Sequence, residues 1–172
     1  MVVNYGSNMD SHAITSTDEL IVWLAQLPAF AASNGWGIGG SCLLKQLALV
    51  EECRDLDIVC TEQEFAPLFS ALSVHFEQVE VAPHPRFCSR FFARFCCDSG
   101  LEIELMAGIA VYDEENPSEK IDWHFDSAQV QKQAGIPWMH PAQWHTLYRL
   151  FGRTASANLL QDYLSTRANT CD

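Results

Sequence analysis

The sequence predicts an α+β fold, in which a short mixed or antiparallel twisted sheet is flanked by helices and further helices follow at the C-terminal end. Three observations support it. Helix and strand patterns alternate in the first half of the chain, two long apolar runs flank a hairpin turn, and the last part has helical spacing. The 172 residues have the length of one domain. We expect a polar, flexible leader at 1–16 and a single domain at 17–172, helical from about 126 to 168.

The first predicted element is a helix. Ser16 and Glu19 have the spacing of a capping box, and the apolar residues that follow recur at helical spacing. The helix should therefore begin near Thr17. Pro28 is expected to kink or interrupt it, and a short strand at 36–38 follows.

A glycine turn and two further elements come next. Gly39-Gly40-Ser41 directly follows the short strand and should open a second helix. Residues 55–60 alternate apolar and polar side chains, which is typical of a strand with one polar end. Thr61 and Glu64 repeat the capping-box spacing and predict a helix that ends near Ser73.

The second half begins with strands. Residues 75–82 are rich in valine and phenylalanine and predict a strand, and two prolines then confine the chain to an extended loop. The apolar runs at 87–95 and 101–112 are joined by residues 97–100, which have the composition of a hairpin turn. We expect an antiparallel pair of strands here.

The chain then returns to helices. Residues 113–119 form an acidic loop, and Asp126 or Ser127 is placed to cap a short helix. The tail at 141–166 has an apolar stripe at helical spacing, and Gly152 should break it into two helices.

Composition argues against several functional classes. Ten basic residues against 22 acidic ones give a formal charge of −12, which repels the phosphate backbone, so we expect no polynucleotide partner. No apolar run approaches the roughly 18 residues that span a bilayer, and the N-terminal stretch has no secretory signal pattern. Seven cysteines without a CxxC pair indicate free, mostly buried thiols. We expect a cytoplasmic protein with no membrane partner.

The glycine turn is the first candidate for a binding site. Gly39 and Gly40 allow a ligand to approach the backbone closely, and the following helix start offers free N–H groups, as a phosphate site requires. Lys45 lies four residues after Ser41, where its ammonium would reach an outer phosphate oxygen. The alternative is that the glycines only form a tight corner between strand and helix.

The second candidate is a pair of carboxylates. Asp55 and Asp57 lie at positions i and i+2 of a predicted strand and so point to the same face. Hard cations such as magnesium, or manganese in its place, take one or two such carboxylates together with substrate phosphates. Glu102 and Glu104 on a later strand are candidates for a third ligand, and alternation leaves both open. The alternative is an ordinary solvent-facing strand edge.

Arginines and aromatic residues add weaker signals. Three arginines lie at even-numbered positions, so on a strand all of them would project from one face: Arg86, Arg90 and Arg94. They could bind a triphosphate or an anionic acceptor, or they could serve only to solubilise the strand. We retain Arg90 as a candidate for nucleotide binding. Trp144 and Tyr148 belong to an aromatic stripe that could stack on a nucleobase, but its helical spacing is typical of a core.

Together these motifs resemble the nucleotidyltransferase superfamily with a polymerase-beta-like fold. Its signature is a glycine-glycine-serine turn, a DxD and a later strand carboxylate, matched here by residues 39–41, Asp55-Leu56-Asp57 and Glu104. The resemblance spans about 36–105 and, more loosely, the C-terminal helices, which look like those of small bacterial members that modify antibiotics or act beside toxins. It implies that the turn with Ser41 binds the nucleoside triphosphate, that the two aspartates hold magnesium, and that the glutamate completes the metal site or helps to deprotonate an acceptor hydroxyl.

Two functional hypotheses follow. The first is a metal-dependent enzyme that transfers a nucleoside monophosphate from a nucleoside triphosphate to a hydroxyl of a small molecule or protein. The second is a binding or regulatory protein, antitoxin-like, that has this fold without turnover. The partners are then a nucleoside triphosphate and an unidentified acceptor, and a homodimer is left open by the sequence.

Overall fold

The computed structural model describes residues 14–168. Their helices are α1 (Thr17–Gln26), α2 (Pro28–Ala32), α3 (Gly40–Gln46), α4 (Glu62–Ser73), α5 (Pro141–Leu150) and α6 (Thr154–Ala168). Their strands are β1 (Trp36–Ile38), β2 (Leu56–Cys60), β3 (Glu77–Val79), β4 (Phe91–Cys96), β5 (Glu102–Ala107), β6 (Ala110–Tyr112), β7 (Lys120–Asp122), β8 (Gln131–Gln133) and β9 (Ile136–Trp138). This arrangement confirms the predicted α+β class, with a mixed sheet, flanking helices and C-terminal helices.

Seven of the strands form one mixed sheet. Their order is β3-β4-β5-β2-β1-β9-β8. The pairs β2–β5 and β1–β9 are parallel, and the other neighbours are antiparallel. Strands β6 and β7 form a separate antiparallel pair. The centre of the large sheet therefore consists of β5, β2 and β1, the strands that the glycine turn and the carboxylates adjoin.

The two faces of the central strands differ in polarity. On β2, Leu56 and Ile58 are fully buried, as are Ile103 and Leu105 on β5, and all four belong to the main hydrophobic core. Side chains alternate between the faces of a strand. The polar residues between them, Asp57 among them, therefore project to the opposite face, where the candidate site lies.

The N-terminal helices begin where the sequence predicts. The Ser16 hydroxyl accepts a hydrogen bond from the Glu19 N–H at 3.2 Å and caps α1, and Pro28 opens α2. Thr61 precedes α4, but its side chain makes no capping hydrogen bond. Of the predicted leader, residues 1–13 lie outside the described range, while Ile14 packs into the core. No helix within the described range is long and apolar enough to cross a membrane.

The middle of the chain confirms the predicted hairpin with shorter strands. Strands β4 and β5 pair along their whole length, and Gly100 at the turn has φ +86°. The strand predicted at 75–82 is reduced to β3, and β4 begins only at Phe91. Between them, the proline-containing segment is followed by a single isolated bridge, Phe87 with Val111. Gly108, with φ +56°, divides the predicted 101–112 run into β5 and β6.

The C-terminal part contains a strand pair that the sequence interpretation missed. Residues 131–138, inside the segment expected to be helical, form the antiparallel pair β8–β9. Ala134 and Gly135 at its tip both have positive φ, as a tight two-residue hairpin turn requires. The cap at Asp126 is confirmed, on a single turn of 3-10 helix at Ser127–Gln129. Gly152, with φ +70°, separates α5 from α6 as predicted.

Candidate functional site

A cavity of about 1070 Å3 opens on the polar face of the central strands. Its floor is formed by side chains of β2, β5 and β4. The segment 78–84 and the junction of α5 with α6 form its walls. Its lining combines carboxylates, arginines and aromatic rings, and it contains most of the residues singled out in the sequence.

Three charged residues form a row across the floor. In the sheet register, Asp57 on β2 is paired with Glu104 on β5, and Glu104 is paired with Arg94 on β4. Paired residues on adjacent strands project to the same face. Glu102 is instead paired with Cys96 at the end of the hairpin. The register therefore makes Glu104, rather than Glu102, the strand neighbour of Asp57.

Asp57 lies in an unfavourable environment for its charge. Burial, followed by the negative charges of Glu104 and Asp55, raises the pKa of the Asp57 carboxyl to about 8, while Arg153 acts in the opposite direction. Crowded carboxylates repel one another unless positive charge lies among them. A cation bound at this point would reduce the repulsion and favour the ionised form of Asp57.

Glu104 already has a positive partner. Arg94 Nε donates to Glu104 Oε1 at 3.1 Å, and a second guanidinium nitrogen donates to the same oxygen. Arg94 also lies 3.8 Å from a carboxylate oxygen of Glu102. No ion pair to Asp55 or Asp57 is found within residues 14–168. The two aspartates are thus the least neutralised acids of the floor.

The glycine turn packs directly against this floor. Gly40 has φ +61°, and a Cβ at this position would overlap the carboxylate of Asp57. A Cβ on Gly39 would overlap the indole of Trp144 on α5. The Gly39 N–H also donates to the main-chain oxygen of Asp57 at 3.0 Å. Both glycines are therefore required for close packing, Gly40 against the carboxylate and Gly39 against the helix.

Ser41 and two arginines supply polar groups at the sides of the cavity. Ser41 lines it, and its Oγ accepts a hydrogen bond from the Arg54 N–H at 3.3 Å. The side chains of Arg54 and Arg153 also line the cavity, on exposed residues. Within residues 14–168 neither guanidinium has an ion-pair partner. Both are available to an anionic ligand.

The remaining predicted binding residues lie in different places. Arg90 lines the cavity, with a guanidinium nitrogen 3.0 Å from a carboxylate oxygen of Glu62. Lys45 does not line it, because its ammonium lies 2.7 Å from Asp18 on α1. The structure thus brings the glycine turn, Asp55, Asp57, Glu104 and Arg90 together, and leaves Lys45 outside this group.

Of the three arginines, only Arg94 lies on β4, and Arg86 does not line the cavity as Arg90 and Arg94 do. The Arg86 guanidinium donates to the Leu150 carbonyl at 2.9 Å and pairs with Glu114. Cationic side chains favour the C-terminal ends of helices, where carbonyls are unsatisfied. Arg86 therefore ties the end of α5 to the acidic loop, outside the cavity.

The donor set suits a divalent cation in part. Within residues 14–168, no group of three or more histidine, cysteine, aspartate or glutamate side chains is arranged to hold a metal ion. The pair Asp55 and Asp57 has the carboxylate oxygens that magnesium prefers, and such sites are usually completed by substrate phosphates and water. Glu104 could join them through Oε2, since both hydrogen bonds from Arg94 reach Oε1. The residues present thus fit a two-carboxylate site.

Arg54, Arg153, Tyr148 and Phe92 are among the lining residues that were not identified as functional in the sequence. Arg54 directly precedes the carboxylate pair, Arg153 follows the helix break, and Tyr148 was assigned to the core. Tyr148 is largely buried, and burial raises its pKa. Phe92 lies two residues from both Arg90 and Arg94, and this spacing was the sequence signal that could have identified it. Arg153 and Tyr148 reach the cavity only through the packing of α5 and α6 on the sheet.

Comparison with known proteins identifies a shared fold. No protein-family model matches the sequence, and no curated protein matches it either. A crystal structure from Thermotoga maritima, of a protein provisionally assigned as a nucleotidyltransferase, superposes with a TM-score of 0.61 at 20% sequence identity. The match covers 90% of this chain and 98% of the other. The two chains therefore have the same fold over nearly their whole lengths.

Proposed function

We propose that this protein is a metal-dependent nucleotidyltransferase that moves a nucleoside monophosphate from a nucleoside triphosphate to a hydroxyl of a small molecule or protein. The observation that carries the proposal is the pairing of Asp57 with Glu104 in adjacent strands, beneath a cavity that the glycine turn also adjoins. The fold shared with the Thermotoga maritima protein supports it.

In this proposal the positive groups around the cavity hold the triphosphate. Arg54 and Arg153 line the cavity without ion-pair partners among the described residues, and guanidinium groups bind phosphate oxygens in bidentate fashion. Ser41 adds a hydroxyl at the same side. Arg90 lies further along the cavity and would have to exchange its contact with Glu62 for a contact with the ligand.

Asp55 and Asp57 would hold magnesium or manganese in this proposal. When bound, such an ion supplies positive charge that stabilises the developing charge on the phosphoryl oxygens. Ionisation of Asp57 is disfavoured in the free protein, where its pKa is about 8. Metal binding should therefore be accompanied by proton release from Asp57 near neutral pH.

Glu104 is the best-placed base for the acceptor. It would take the proton of the acceptor hydroxyl while the oxygen forms its bond to the α-phosphorus and the bond from that phosphorus to pyrophosphate breaks. Its hydrogen bonds with Arg94 hold the carboxylate in position. A carboxylate held in this way acts as a base only when the acceptor hydroxyl lies within hydrogen-bonding distance.

Titration calorimetry with non-hydrolysable analogues of ATP, GTP, CTP and UTP, with and without magnesium, tests this proposal. We expect magnesium-dependent binding of at least one analogue and its loss in Asp57→Asn. Glu102→Gln is the matched control, because it also removes one carboxylate charge. Glu102 lies on β5, two residues from Glu104, but it is paired with Cys96 at the hairpin end and does not line the cavity. Binding that is independent of magnesium, or unchanged in Asp57→Asn, would contradict the site assignment.

The ion pair at Glu104 favours a second candidate function. Arg94 engages Glu104, and the described residues form no group of three metal ligands. Both observations are compatible with a binding or regulatory protein of this fold, antitoxin-like and without turnover. The two functions differ in chemistry rather than in binding. Pyrophosphate release in the presence of acceptor mixtures would support the enzyme, and tight nucleotide binding without release would support the regulatory protein.

A further inference from the structure

The cavity has a second, aromatic end. Its volume of about 1070 Å3 is at the upper limit of the roughly 300–1,000 Å3 that pockets for one drug-sized ligand occupy. Beyond the charged floor it is lined by Val81, His84, Phe87, Phe92 and Phe151. The nucleotide assigned to the charged end would leave this part of the space to another group.

Among the rings described at this end, Phe92 is the one with no aromatic partner within residues 14–168. His84 stacks on Phe87 with 4.2 Å between ring centroids, and Phe87 meets Phe151 edge-on at 5.0 Å. No ring contact to Phe92 is found in the part of the chain that the structure describes, and the residue is 39% exposed. An exposed aromatic face inside a cavity is suited to stack against a planar ring of a ligand.

Phe92 also lies close to the proposed base. It is paired with Met106, two residues along β5 from Glu104, which is a separation of about 7 Å along a strand. Across the sheet the order is β1, which the glycine turn follows, then Asp57 on β2, Glu104 on β5 and Phe92 on β4. The phosphate contacts proposed at Ser41 and Arg54 adjoin β1 and β2, so the ring at Phe92 is on the far side of the base from these contacts.

We propose, on the basis of the nucleotidyltransferase function above, that Phe92 binds the acceptor and that the acceptor hydroxyl is carried on, or next to, a planar apolar ring. The ring stacks on Phe92 while its hydroxyl faces Glu104. Its oxygen forms the new bond to the α-phosphorus, its proton passes to Glu104, and pyrophosphate leaves.

Direct binding of small probes tests the ring site without any nucleotide. The probes are 4-methylphenol and 4-methylcyclohexanol, each of which carries one hydroxyl on a six-membered ring that is planar in the phenol and puckered in the cyclohexanol. Saturation-transfer NMR titrations should detect the phenol and not the cyclohexanol. Phe92→Ala should weaken phenol binding about tenfold, the order of one stacking contact together with its buried area.

Phe91→Ala is the matched control. Phe91 is the preceding residue on β4, is 38% exposed, and packs on Phe65 on the other face of the strand, outside the cavity. It should leave phenol binding unchanged. Equal effects of the two substitutions, or equal binding of the two probes, would overturn the ring site.

Nucleotide titrations separate this inference from the proposed function. We expect Phe92→Ala to leave the magnesium-dependent affinity for the nucleotide analogue unchanged while reducing transfer to the phenol. A tyrosine-containing peptide used in the same transfer assay distinguishes a protein acceptor from a small-molecule one, and modification of either supports the ring site. An equal loss of nucleotide affinity would instead assign Phe92 to the nucleobase and overturn the acceptor role. Absence of nucleotide binding in the unmodified protein would overturn the proposed function, and with it the acceptor role, whatever the phenol titration gives.

Discussion

Replacing Gly40 with alanine tests the contact between the glycine turn and the carboxylate floor. Gly40 has φ +61°, where an L side chain costs about 1–2 kcal/mol. The new Cβ would also overlap the Asp57 carboxylate, and overpacking of this kind typically costs a further 1–3 kcal/mol or so. We therefore expect the free energy of unfolding to fall by about 2–5 kcal/mol.

Thermal unfolding, with chemical denaturation as a second measurement, gives the size of this loss. For a chain of this length, about 2–4 °C in Tm corresponds to each kcal/mol, so Gly40→Ala should lower Tm by roughly 4–20 °C. Gly100→Ala is the control, because Gly100 has φ +86° but its Cβ would meet nothing within 4 Å. It should show only the backbone cost of about 1–2 kcal/mol. Equal losses in the two variants would refute the contact with Asp57.

Three further predictions concern the charges of the cavity. The pKa of Asp57 is about 8 in the folded chain and its ordinary value is 3.8, so the unfolded chain loses this proton first as the pH rises. Asp57 should therefore lower the free energy of unfolding progressively from about pH 4 to pH 8. Urea unfolding of Asp57→Asn should lack this contribution, and equal pH slopes in the two proteins would contradict the prediction. Arg94→Gln should lower Tm in the absence of magnesium, and added magnesium should restore part of that loss. Arg90→Gln breaks an exposed ion pair and should show neither effect. A magnesium response in both variants would count against the role of Arg94. Arg153→Ala should reduce the affinity for a triphosphate analogue, measured by calorimetry, more than Lys45→Ala does, because only the arginine lines the cavity. A larger effect of Lys45→Ala would instead assign the lysine to the phosphate site.

Local patterns were sufficient to predict most elements of the fold. The capping residue Ser16, the interruption at Pro28 and the helix break at Gly152 act within a few residues of themselves, so they can be read without knowledge of the rest of the chain. The β8–β9 pair was missed because β8 is exposed and polar and β9 has only three residues. Its turn at Ala134-Gly135 has a non-glycine residue with positive φ, which composition does not reveal.

The candidate site was predictable to the extent that it depends on strand alternation. Asp55 and Asp57 lie on one face because they are two residues apart, but the choice between Glu102 and Glu104 required the register of two strands distant in sequence. The position of Lys45 depended on the packing of α1 against α3, which places Asp18 beside it. Arg153 and Tyr148 reach the cavity through tertiary packing, for which the sequence has no local signal.

The most direct test of the account is the location of a bound metal and nucleotide. Crystals grown with manganese and a non-hydrolysable triphosphate, measured at the manganese absorption edge, would locate the ion by its anomalous signal. We expect a manganese peak in contact with the carboxylates of Asp55 and Asp57, with the phosphates extending towards Ser41 and Arg153. Nucleotide bound away from this cavity, or manganese bound without contact to either aspartate, would contradict it.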